Sequence, residues 1–131
     1  MYGAPDASML FLTAKPVDQA VINALESSAA ALGHETGCCI ANLGEVDDLA
    51  LFVFTADPWS VIAIDEDSIV ALKQTFGGAA AGLAPGTPIQ VDGGYQLVAV
   101  PGFAECLGDD AAKKQAWVRL KAARHPGNPL A

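Results

Sequence analysis

Apolar positions along this chain fall into short unbroken runs, separated by stretches in which they recur every third or fourth residue. Ser8 to Ala14 is a run without polar alternation, the pattern of a parallel strand covered on both faces. Pro16 then opens a predicted helix, where its missing N–H costs nothing. Val17, Val21, Ala24, Leu25, Ser28 and Leu32 line one face of that helix, Gln19, Asn23 and Glu26 lie opposite, and Gly33 stands at the C-terminal cap position. Cys38 to Ala41 reads as the second strand.

Glu45 to Asp57 carries two patterns at once. Val46, Leu49, Ala50 and Val53 make a helical stripe, yet Leu51, Phe52 and Phe54 fill its gaps as they would in a buried strand. A short helix is preferred, because two parallel strands need a crossover between them. Trp59 to Ile64 is the next strand, and Asp65-Glu66-Asp67 supplies carboxylates to the N-terminus of a helix that runs through Ile69, Leu72, Lys73 and Phe76 to Gly77-Gly78. Residues 77–88 read as a loop. Pro88 to Val91, Gly93-Gly94 and Tyr95 to Val100 read as a hairpin feeding the last strand. Asp109 or Asp110 caps a final helix predicted to reach about His125, and residues 126–131 form a loose tail. The alternation implies one α/β domain over residues 1–125, a three-layer α/β/α sandwich with a mostly parallel four-stranded sheet.

Composition adds to this mainly through charge. The 131 residues are 52% hydrophobic and 17% charged, which excludes a disordered chain, and no apolar run approaches the length of a membrane span. The N-terminus lacks the basic start and apolar centre of a signal peptide, so a cytoplasmic location is expected. The formal net charge of −8 argues against a diffuse nucleic-acid footprint. All fifteen acids lie in residues 1–110 against two lysines, whereas residues 111–131 carry Lys113, Lys114, Arg119, Lys121 and Arg124 and no acid. Such asymmetry fits either a solvated helix end or a basic stripe that faces a partner.

Chemistry-bearing motifs are sparse. Glycine-rich phosphate loops and a GxSxG nucleophile elbow have no counterpart in the sequence. Vicinal Cys38-Cys39 and the distant Cys106 do not have the spacing of a metal site and read as small buried hydrophobes. His34 and His125 read as surface residues, and Asp65-Glu66-Asp67 as helix caps before a cation site. No cofactor, metal or catalytic residue is therefore assigned. On the final helix, Lys113, Lys114, Trp117, Lys121 and Arg124 project within about 100° of one another, while Ala112, Ala116, Leu120 and Ala123 line the adjacent, sheet-facing side. A tryptophan among cations suits a protein interface, and these five residues are the candidate partner-binding site.

The order of these segments resembles the uracil-DNA glycosylase superfamily in reduced form. Met9 to Ala14, the helix Val17 to Leu32 with Cys38 to Asn42, and Trp59 to Asp65 with Ser68 to Leu72 are similar to that family's first three strands and their helices. Tyr95 to Val100, Pro101-Gly102-Phe103 and Lys113-Lys114-Gln115-Ala116-Trp117 resemble its last strand, the loop that carries His-Pro-Ser, and its final helix. The resemblance implies loss of the chemistry. The loop after the first strand is cut to Thr13-Ala14-Lys15-Pro16, Val100 stands where the uracil-stabilising histidine belongs, and Ala104-Glu105 replace intercalating leucines. A silent relative on this fold, the psi-subunit family of bacterial DNA polymerase III, is similar in length, in the shortened first loop and in the Pro101-to-Trp117 spacing. That likeness implies a non-enzymatic adaptor in DNA replication whose body binds a chi-like subunit. Only Met1 to Ala7 precede the first strand, which is shorter than that family's clamp-loader-binding tail. Two alternatives stand beside it: a divergent nucleobase- or nucleotide-acting enzyme of the same superfamily, with Asp18 as its nearby acid, and an unrelated α/β binding or regulatory domain.

Overall fold

In the computed structural model, residues 2–3, 7–33, 37–85, 87–91 and 95–121 are described. The strands are β1 (Tyr2–Gly3), β2 (Met9–Thr13), β3 (Cys38–Asn42), β4 (Ser60–Ala63), β5 (Ile89–Val91) and β6 (Tyr95–Ala99). The helices are α1 (Gln19–Ala31), α2 (Leu49–Ala56), α3 (Glu66–Phe76), α4 (Phe103–Cys106) and α5 (Asp110–Leu120). Pairing builds one mixed sheet in the order β1-β3-β2-β4-β6-β5. The four inner strands are parallel, and β1 and β5 close the two edges antiparallel.

The expected four-stranded sheet is thus corrected to six strands. β5 is the antiparallel hairpin partner already visible in the sequence. β1 is only two residues long, and its pairing of Tyr2 with Ile40 and Gly3 with Cys39 is non-local, so no periodicity announces it. The glycine is required there: φ at Gly3 is +87°, and a Cβ would run into the Cys38 carbonyl oxygen.

Alternation along the inner strands divides the core. Met9, Phe11, Cys38, Ile40, Ile62, Val98 and Val100 face one side and pack against Val21, Leu25 and Ala29 of α1, Phe103 of α4, and Ala116 and Leu120 of α5. Leu10, Leu12, Cys39, Ala41, Val61, Ala63, Leu97 and Ala99 face the other side, against Val53 of α2 and Ile69 and Leu72 of α3. Helices therefore cover both faces, which explains the unbroken apolar strand runs. Each fully buried Leu, Val or Phe contributes about 1.5–3 kcal/mol from burial.

Helix boundaries differ from expectation where caps decide them. Pro16 does not open α1. Asp18 does, its backbone extended and its side chain accepting the Val21 N–H at 3.0 Å, so the helix starts at Gln19. Segment 77–88, expected as a loop, contains a 3₁₀ turn over Gly77–Ala80 that buries Ala80. The ambiguous stretch 45–57 does form a helix, α2, capped by Asp48 and ended by Asp57 at φ 49°. The continuation of the last helix to His125, the residue 126–131 tail, His34 and the Gly93-Gly94 turn lie outside the described residues.

Candidate functional site

Numbered along the chain, the four parallel strands β2, β3, β4 and β6 lie in the order second, first, third, fourth. The helix that follows β2 packs on one face of the sheet and the helix that follows β4 packs on the other. Neighbouring strands with opposed crossovers leave a crevice at their carboxyl ends, and doubly wound folds bind ligands there. In this protein the crevice lies between the Thr13-Ala14-Lys15 turn after β2 and Asp65 after β4.

Asp65 reaches across that crevice to the turn after β2. Its Oδ2 accepts the Ala14 N–H at 2.9 Å and the Lys15 N–H at 3.2 Å. The Thr13 hydroxyl lies 2.9 Å from the same oxygen and 2.6 Å from the Lys15 carbonyl, and its single proton serves one of them at a time. Oδ1 accepts the Ser68 N–H at 3.0 Å, and the Ser68 hydroxyl returns to the Asp65 backbone, completing a capping box at the start of α3. Partial burial acts to raise the Asp65 pKa, but the combined hydrogen bonds from Ser68, Ala14 and Thr13 outweigh it and hold the carboxyl below its usual range.

Outside Asp65 an open cleft of about 400 Å³ is rimmed by Lys15, Glu66, Asp67 and Glu105 and floored by the Pro101-Gly102 turn. One cation faces three further carboxylates there. Among the described residues no group of three His, Cys, Asp or Glu side chains is placed to hold a metal ion. Val100, in the position that the resemblance gives to a histidine, is fully buried in the α1-side core, and its N–H bonds to the Ala63 carbonyl at 2.8 Å. Asp18 is spent as the α1 cap.

The residues expected to bind a partner are split by the helix they share. Lys113, Lys114 and Lys121 are exposed, whereas Trp117 is half-buried and packs against the α1-side core. Arg124 lies outside the described residues. The outward ridge also contains Val118, 61% exposed, one turn from both Lys114 and Lys121. Sequence reasoning passed over Val118, although its offset of about 160° from both Ala116 and Leu120 was available as a signal. Arg119 turns the other way, into a groove with Glu105, Cys106 and Asp109.

Burial raises the Cys38 thiol pKa to about 11, with the Glu26 carboxylate and Cys39 adding to it, so neither a metal-binding nor a nucleophilic thiolate is favoured there. Among the described residues no helix is long and apolar enough to cross a membrane. No protein-family model matches this chain, and no curated protein is similar to it.

Proposed function

We propose that this protein is a non-enzymatic adaptor of DNA replication, similar in role to the psi subunit, on a reduced uracil-DNA glycosylase-like sandwich and acting in the cytoplasm. Its α5 ridge is the surface that binds a chi-like protein partner. The observation that carries this reading is the chemistry of that ridge. Lys114 and Lys121 flank the exposed Val118, and Lys113 lies across Trp117 from them, so an apolar contact sits among cations on a rigid helix. The bonds that Asp65 makes across the switch-point crevice support the same reading, because the Ala14 and Lys15 N–H donors that a substrate anion would use are already engaged.

Lys114→Glu with Lys121→Glu tests it against a purified chi subunit by titration calorimetry. Both side chains are exposed, so stability is expected to hold, while charge reversal weakens binding by tenfold or more. Absence of binding to chi by the unaltered protein refutes the replication role. Release of uracil from single-stranded uracil-containing DNA supports the enzyme alternative instead.

A further inference from the structure

Helix α2 has an outer face that water alone does not explain. Val53 is buried and Leu49 and Phe52 pack partly against the sheet, as an inner face should. The outward arc then consists of Ala50, Phe54, Leu51 and Thr55, spread over about 140°. Phe54 is 78% exposed and Leu51 is 60% exposed. Scattered surface hydrophobes are ordinary, but a solvated helix face normally carries charge. The eight residues of α2 carry none. This also explains the double pattern in the sequence: the gaps of the helical stripe are filled because the outward positions are apolar too.

The flanks of the helix indicate what covers it. Asp47 and Asp48 precede α2 and Asp57 follows it, all exposed. Between residues 16 and 72 the chain contains ten acids and no lysine or arginine. An apolar ridge framed by carboxylates complements a helix with leucine-like anchors on one side and cations at its edges.

We propose that the outer face of α2 docks a cationic amphipathic helix of a partner protein, with Phe54 and Leu51 as anchors and the flanking aspartates setting its charge preference. This surface is on the opposite side of the sheet from α5 and is independent of the chi-like contact.

The test uses the full chain and, as probe, a synthetic helical peptide with leucine at heptad core positions and lysine elsewhere, followed by fluorescence anisotropy. Leu51→Ser with Phe54→Ser is expected to weaken a saturable one-to-one complex at least tenfold, with an unchanged melting curve. Asp47→Asn with Asp57→Asn is expected to weaken it several-fold and to flatten its salt dependence. Lys114→Glu with Lys121→Glu is expected to leave it unchanged, which separates failure here from failure of the α5 proposal. The proposal is overturned by any of three results: equal binding of a peptide with glutamate in place of lysine; a loss of less than twofold in the serine variant; or self-association of the chain, or binding to neutral lipid vesicles, that the serine variant abolishes.

Discussion

Asp65→Ala removes one carboxylate that serves two separated segments, and its cost can be worked from the contacts. The lost α3 cap, the Ser68 N–H at 3.0 Å, costs about 1 kcal/mol. On the β2 side, the Ala14 N–H at 2.9 Å and the Thr13 hydroxyl at 2.9 Å lose a charged acceptor. Such bonds contribute about 1.5–3 kcal/mol each when enclosed, and this carboxylate is partly open to water, so about 1 kcal/mol each is the appropriate scale. The Lys15 N–H is exposed and regains water. The Thr13 hydroxyl keeps the Lys15 carbonyl at 2.6 Å as its acceptor, so the sum is about 2 kcal/mol, which for a chain of this size lowers the melting temperature by about 7 °C.

The acid dependence provides a second, sharper check. Because the folded pKa of Asp65 lies below its unfolded value, its contribution is fully present above an unfolded pKa of about 3.9 and is lost as pH falls through the folded value. The stability gap between the unaltered protein and Asp65→Ala is therefore widest at neutral pH and narrows in strong acid. Asp65→Asn keeps an acceptor for the cap but turns an NH₂ group toward donors, and is expected to fall between the two. Urea titrations at pH 7 and at stepped acid pH measure this. A variant within about 0.5 kcal/mol of the unaltered protein at pH 7, or a gap that does not change with pH, refutes the clamp.

Two other perturbations follow from the geometry. Gly3→Ala places a Cβ against the Cys38 carbonyl at a φ of +87°, so β1 should detach from β3 at a cost of about 1–3 kcal/mol, read as a lower melting temperature and faster exchange of the amides of β3; an unchanged melt refutes it. Cys38, Cys39 and Cys106 are all buried, and burial is the leading cause of each raised thiol pKa. Alkylation by iodoacetamide at pH 8 should therefore proceed only as fast as the protein opens, accelerating in urea. Modification of any of the three at the rate of a free thiol in the folded protein contradicts that placement.

The parts of this fold that could be read in advance are those in which burial is enforced on both sides. Met9 to Leu12 and Val61 to Ile64 are fully buried, so every position is apolar and the strand declares itself. The α1 stripe was equally plain, because Val21, Ala24, Leu25 and Ser28 repeat at helical spacing, and Val21 and Leu25 are buried. What could not be read depends on partners distant in the chain. β1 owes its existence to two backbone pairings across to β3. Asp65 was rightly taken as a cap, but its bond to the Ala14 N–H spans 51 residues, and nothing local to either segment signals it. Trp117 was read from its place among lysines as a partner-binding candidate; the packing of its indole against the α1-side core depends on contacts distant in the chain.

The carboxylate in the crevice bears on where function can reside. A ligand anion at the carboxyl ends of β2 and β4 would need the same Ala14, Lys15 and Thr13 donors that Asp65 holds. A group tethered to the backbone competes at an effective concentration in the millimolar range or above, with no translational cost to bind. An incoming anion would also approach past Glu66, Asp67 and Glu105, with only Lys15 in its favour. Displacement is thus disfavoured by both proximity and field. The same clamp ties the β2 turn to the start of α3. Under the adaptor reading proposed above, α5 would offer cations to one protein and α2 an apolar ridge framed by aspartates to another, from opposite faces of the sheet.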